Sequence, residues 1–215
     1  MGSTTTKTSI CNRALQLLGY QPISSLQAND RGARAMNRAY QPTLESVLRE
    51  NYWSFSIQRV IVPASAIKPA FGKRNYFPLP GDFLMLAPPD QNPNYTFGAV
   101  PVPPVQPNSG LQYNDWQIEQ MGADQGLAIA TNSPSPLMFR YVSNDIQENS
   151  FDSCFAEALS ARLAIETCEE LTQSNTKLAA LGQIYKEIMA KAKQRNSFEE
   201  QPVQPPIDSY ILVRM

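Results

Sequence analysis

Carboxylates stand close together at two places in this chain: Asp115 with Glu119, and Glu166 with Glu169 and Glu170. Two carboxyls about 5–10 Å apart across a cleft can hydrolyse a glycoside, but spacing along the chain does not fix that separation. Glu166 and Glu170 lie at i, i+4 and read most simply as a solvated helix face. Histidine is absent from all 215 residues. Its absence removes Ser-His-Asp and Cys-His nucleophilic chemistry, histidine acid–base catalysis and most zinc sites. Cys11, Cys154 and Cys168 are odd in number and lack CxxC spacing, so buried reduced thiols are expected. Neither GxGxxG nor GxxxxGK[ST] occurs, so no phosphate-cradling loop is expected. The chain reads as a non-enzyme with no cofactor and no metal.

Arg31, Arg34 and Arg38 in "DRGARAMNR" fall on one stripe of a helix, opposite its apolar face. Such a stripe can contact DNA phosphates or a carboxylate-bearing neighbouring subunit. The plainer reading is a solvated or ion-paired face, because the formal net charge is only -1 and supplies no basic footprint. Trp53 and Phe55 in "ENYWSFSIQR" read as a cap between helical and sheet regions, ahead of an aromatic ligand platform.

The elements that must carry these residues follow from proline placement. Thirteen of the 18 prolines lie between Pro63 and Pro136, which bars long helices from the middle and permits them at both ends. A first helix is expected from about Thr6 to Leu18, with Ile10, Ala14, Leu17 and Leu18 on its apolar face and Gly19 at its stop. Asp30 can cap a second, with Ala33, Met36, Tyr40, Leu44, Val47 and Leu48 inward and Pro42 kinking or splitting it near Tyr40. A third begins near Ser150 or Asp152, its apolar arc wide enough (Phe155, Ala158, Leu159, Leu163, Ile165) for burial on more than one side. A fourth repeats Leu178, Leu181, Tyr185, Ile188 and Ala192 and ends near Arg195, forming an antiparallel hairpin with the third across a short link. Strands are expected in "FSIQRVIV", "FLMLA", "DWQIEQ", "LAIAT" and "LMFRYV", around a projecting proline-dense loop. The fold class is therefore α+β: a discontinuous helical bundle from residues 1–56 and 142–196, a β-rich insertion at 57–141, and an extended arm at 197–215.

With 42% hydrophobic and 17% charged residues, the composition is that of a globular protein slightly poor in charge. No run approaches the roughly 18 apolar residues of a membrane span, and the opening residues lack a signal-peptide pattern. A protein made in a reducing cytoplasm, without a membrane anchor, is expected. The closing "QPVQPPIDSYILVRM" couples a stiff proline lead-in to a run with strand character. Pro205, Pro206, Ile207, Asp208, Tyr210, Ile211, Leu212 and Val213 are candidates for an arm that docks on a partner.

Taken in order, "CNRALQLLGYQPISSL", "LRENYWSFSIQRV", "FPLPGDFLMLA", "LMFRYV" and "FDSCFAEALSARLA" resemble the head-to-tail adaptors of short-tailed bacteriophages, often called tail tubular protein A. The resemblance spans roughly Ile10 to Arg195 and rests on packing patterns rather than a catalytic signature. It implies a structural virion protein: a dodecameric ring between the portal protein of the filled head and the tail nozzle (tail tubular protein B-like). Double-stranded DNA would be retained and ejected through that ring without sequence specificity. The family has a helical bundle and a β-rich part facing the tail, so the arm would bind portal or an adjacent subunit. The alternatives are a virion-associated glycan hydrolase using Asp115 and Glu119, and a receptor-binding or fibre-docking module. In the latter, Tyr95, Phe97 and Tyr113 would contact the nozzle or tail fibres.

Overall fold

The structure, a computed structural model, describes residues 5–88, 116–122 and 125–199. In chain order it contains α1 (Lys7–Leu18), α2 (Arg31–Leu48), β1 (Ile57–Val62), β2 (Asn75–Pro78), β3 (Phe83–Leu86), β4 (Trp116–Gln120), β5 (Leu127–Thr131), β6 (Leu137–Ser143), α3 (Ser153–Thr172) and α4 (Asn175–Phe198). Single 3₁₀ turns at Ser54–Ser56 and Glu148–Ser150 mark the passages between helical and sheet regions.

Each helix begins where a short polar side chain can satisfy otherwise orphaned N–H groups. The Ser9 amide donates to Thr6 Oγ1 (3.2 Å) and the Thr6 amide donates to Ser9 Oγ (2.9 Å), a reciprocal capping box. Asp30 accepts from the Gly32 and Ala33 amides, and Asp152 from the Cys154 amide. Gly19 ends α1 at φ 68°, a left-handed conformation that a side chain would strain.

Of the kink or split expected near Tyr40, the split does not occur: α2 is one helix that runs through Pro42. A mid-helix proline costs about 3 kcal/mol. Tyr40, Leu44, Val47 and Leu48 are all buried around it, and each contributes about 1.5–3 kcal/mol of burial. Core packing therefore overrides the local penalty.

Helix α3 packs against α1, α2 and α4, and so meets the expectation of burial on several sides. Ala158, Ala161 and Ala164 are fully buried and let neighbouring helices approach closely. Ile165, expected in this arc, is only partly buried. A link of Gln173 (left-handed, φ 51°) and the capping Ser174 turns α4 back along α3. The inward face of α4 is Leu181, Tyr185, Met189, Ala192 and Asn196. Leu178 is exposed and Ile188 only partly buried, and the helix continues to Phe198, past the expected end at Arg195.

The middle forms two antiparallel three-stranded sheets, ordered β1-β6-β3 and β2-β5-β4. Strand β2, "NYFP", was not anticipated; it is only four residues long and ends on a proline that an edge strand tolerates. Alternation along β6 joins two cores. Leu137, Phe139 and Tyr141 belong to a small core with Val62, Phe77 and Ile129. Val142, with Leu84 of β3, belongs to the large helical core. The β-rich part is thus fastened to the bundle through β3 and β6.

Candidate interaction surfaces

The arginine stripe on α2 is exposed but largely engaged. Arg38 donates to both carboxylate oxygens of Glu170, each at 2.7 Å, and Arg31 donates to the Glu170 main-chain carbonyl. Arg34 donates to Asn29 Oδ1 at 2.8 Å. Glu170 lies in the last turn of α3, where guanidinium groups also meet the negative end of the helix dipole. The stripe therefore pins α2 to α3, the ion-paired reading of these residues.

Several described carboxylates are likewise engaged. Glu166 pairs with Arg162 at 2.9 Å, and Glu157 with Arg13 at 3.5 Å. Four others accept hydrogen bonds from tyrosine phenols, tying distant elements together. Tyr40 of α2 donates to Glu148, and Tyr185 of α4 donates to Glu50 just beyond α2. Tyr141 of β6 donates to both oxygens of Asp82 (3.1 and 3.0 Å), which also accepts from Ser143 Oγ at 2.6 Å. Tyr76 of β2 is hydrogen-bonded to Glu119 of β4, so this member of the proposed hydrolytic pair serves as a tie between the edges of one sheet. Its partner Asp115 lies outside the described residues.

These environments hold the phenols protonated. Burial pushes Tyr141 up to about 12, reinforced by its hydrogen bond to Asp82. Tyr40 and Tyr185 are also raised, chiefly by burial and then by their carboxylate partners. For Tyr76 the hydrogen bond to Glu119 is the leading cause. Burial pushes the Cys11 thiol up to about 12 and outweighs the opposing Lys7 charge. A thiol so raised is a poor nucleophile. Cys154 is raised for the same reason, and all three cysteines are free. Among the described residues no group of three or more His, Cys, Asp or Glu side chains is placed to hold a metal.

Trp53 and Phe55 belong to the core at the junction, not to an open platform. The Trp53 ring meets Phe155 edge-on at 4.9 Å and its indole N–H donates to the Val47 carbonyl at 3.1 Å. Phe55 packs against Phe151 and Phe155.

Exposed apolar side chains collect elsewhere. Phe71 is 90% exposed and Ile61 65%, with Ile67 also open, on the strand and loop leading from β1 to β2. Phe198 is 79% exposed at the end of α4, beside an open depression of about 510 Å³ lined also by Lys191 and Arg195. A second depression, about 620 Å³, runs along α1 past Asn12, Gln16 and Tyr20. Neither carries a buried acid–base pair. Sequence reasoning passed over the exposed Ile61, Ile67 and Phe71; their signal was large apolar residues in an acid-free segment where solvated loop residues are the rule. The candidate contacts Tyr95, Phe97 and Tyr113, and the arm residues from Pro205 to Val213, lie outside the described residues.

The chain matches no protein-family model and no curated protein.

Proposed function

We propose that this chain is a structural head-to-tail adaptor of a short-tailed phage virion, a ring subunit seated between portal and tail nozzle. The observation that carries the reading is architectural. Helices from both ends of the chain share one core, and a two-sheet part between them is anchored to that core through β3 and β6. This is the layout implied by the ordered segments that resemble the adaptor family. The ties of Glu119 to Tyr76, Glu166 to Arg162 and Glu170 to Arg38 give these acids a positioning role within the subunit.

A ring subunit needs two different complementary faces, because its contacts are heterologous and must close. The exposed apolar surface around Phe71 and the one at Phe198 are separate candidates for those faces. Duplex DNA passing through the ring would be held without sequence specificity, since a net charge of -1 offers little counterion release. The arm would secure the subunit to its partners.

The test is electron microscopy and sedimentation of the purified protein mixed with portal protein. A closed ring on the portal is the expected result. A strict monomer in the presence of portal overturns the proposal, as does sequence-specific DNA binding that survives physiological salt.

A further inference from the structure

The sheet β1-β6-β3 turns one face to the small core: along β6, Leu137, Phe139 and Tyr141 fill it. Alternation sends Met138, Arg140 and Val142 to the other face. At the bundle end of that second face, Val142 and Met85 rest on the helical core. Beyond them the register sets Arg59 directly opposite Arg140 and Ile61 directly opposite Met138. Side chains so paired on one face stand about 4.5–5.5 Å apart at Cβ, so the two pairs form one continuous surface.

Two guanidinium groups facing each other across a ladder repel. No acid on the three strands offsets them, since β1, β3 and β6 contain none. Asp82, just before β3, accepts from Tyr141 and Ser143 on the opposite face. Arg59 is engaged in a contact of its own. Arg140 differs from it. Its side chain is half-buried, its Nε is buried without an acceptor, and its guanidinium makes no hydrogen bond or ion pair among the described residues. A planar cation on a buried stem, beside a like charge and without a counter-ion, is pre-organised for a carboxylate.

The neighbouring pair selects the kind of partner. Ile61 is 65% exposed and Met138 is half-buried. A nucleic-acid backbone has nothing apolar to lay on them, whereas a polypeptide has. Strand β1 is the outer strand of its sheet, hydrogen-bonded on one side only among the described residues. Its outward main-chain groups can therefore pair with an extended segment. In such a segment, side chains two residues apart share a face at a spacing of roughly 6.6 Å, the same spacing that separates Arg59 from Ile61 along β1. The segment would lie about 9.6 Å from β6, two strand spacings away, a gap that an arginine and a glutamate side chain span together.

We infer that the outer face and open edge of this sheet dock an extended acidic segment of a partner protein, with a carboxylate on Arg140 and an apolar side chain two residues away on Ile61 and Met138. The contact goes beyond the adaptor reading and stands if that reading fails.

The test titrates a fluorescein-labelled peptide, Thr-Thr-Glu-Thr-Leu-Thr-Thr, with the full-length protein and follows anisotropy, beside the same peptide with Gln in place of Glu. Saturable binding of the acidic peptide is expected. It should weaken about tenfold in Arg140→Gln and by a similar factor in the Gln peptide, because each change removes one charge-assisted bond. Raised salt should weaken it as well. Ile61→Ser, at an exposed position, should weaken binding several-fold with every charge in place. Arg140→Gln relieves a like-charge contact, so the variant should melt no lower than the parent. Absent saturable binding, equal binding of the two peptides, or binding unchanged in both variants overturns the inference. Arg140-dependent binding of a labelled DNA duplex in place of the peptide assigns the site to phosphate and overturns it too. So does a clear fall in melting temperature with peptide binding retained, the mark of an arginine that serves only the fold.

Discussion

Around Phe155 the large core draws on four helices and closes with an aromatic cluster: Trp53, Phe55 and Phe151 all meet the Phe155 ring within 4.8–4.9 Å or stack on one another beside it. Around Phe77 the second core is six buried residues between two short sheets, with its outer strands largely open. The first is stabilised by apolar area; the second depends more on ladder hydrogen bonds and on the Asp82–Tyr141–Ser143 and Tyr76–Glu119 ties. Stability scales with area removed from water, so the helical region is the scaffold and the sheet region the more easily opened part.

The comparison breaks most visibly at Phe155. Phe155→Ala should cost about 3–5 kcal/mol and unfold both regions together, because Val142 and Leu84 rest on the same core. Urea melts followed by far-ultraviolet circular dichroism check this; a stable helical signal would show that the cluster is not the keystone.

Phe77→Ala should fall at the lower end of the same range, about 3 kcal/mol, and act regionally. Hydrogen exchange is expected to accelerate in β2, β4 and β5 while α3 keeps its protection. Equal acceleration in α3 would mean that the two cores are one cooperative unit.

A smaller effect is expected at high pH. The Tyr141 phenol is raised from 10.0 to about 12 by burial and Asp82, so the fold favours its protonated form. The stability it contributes is complete below pH 10 and is lost as pH rises through about 12. Tyr141→Phe should flatten that part of the stability curve, read by denaturant melts between pH 9 and 12. An unchanged slope would remove the tie from the account.

The smallest change is expected on the helical surface. Arg38 and Glu170 are 69% and 39% exposed in their side chains, so Arg38→Ala should cost at most about 1 kcal/mol. The cost should shrink in high salt. A larger, salt-independent loss would show that α2 leans on Glu170 more than an exposed ion pair allows.

Local chemistry in the sequence determined where α1, α2 and α3 begin and where α1 ends. Thr6, Asp30 and Asp152 cap with their own side chains, Gly19 turns left-handed, and the proline distribution confines helices to the two ends. Each is settled within a few residues, as was the strand character of β1, β3, β4, β5 and β6. Tertiary structure decided the rest. It carried α2 through Pro42, because the burial beyond that residue outweighs a missing hydrogen bond. It rotated the inward face of α4 from Ile188 to Met189, because the contour of α3 chooses which residues are covered. It recruited β2 as an edge strand too short to announce itself. It also chose Glu50, Asp82, Glu119 and Glu148 as partners for tyrosines up to 135 positions away. Capping reads nearest neighbours, whereas a carboxylate meets its phenol only after the chain has folded, and no spacing along the sequence records that meeting.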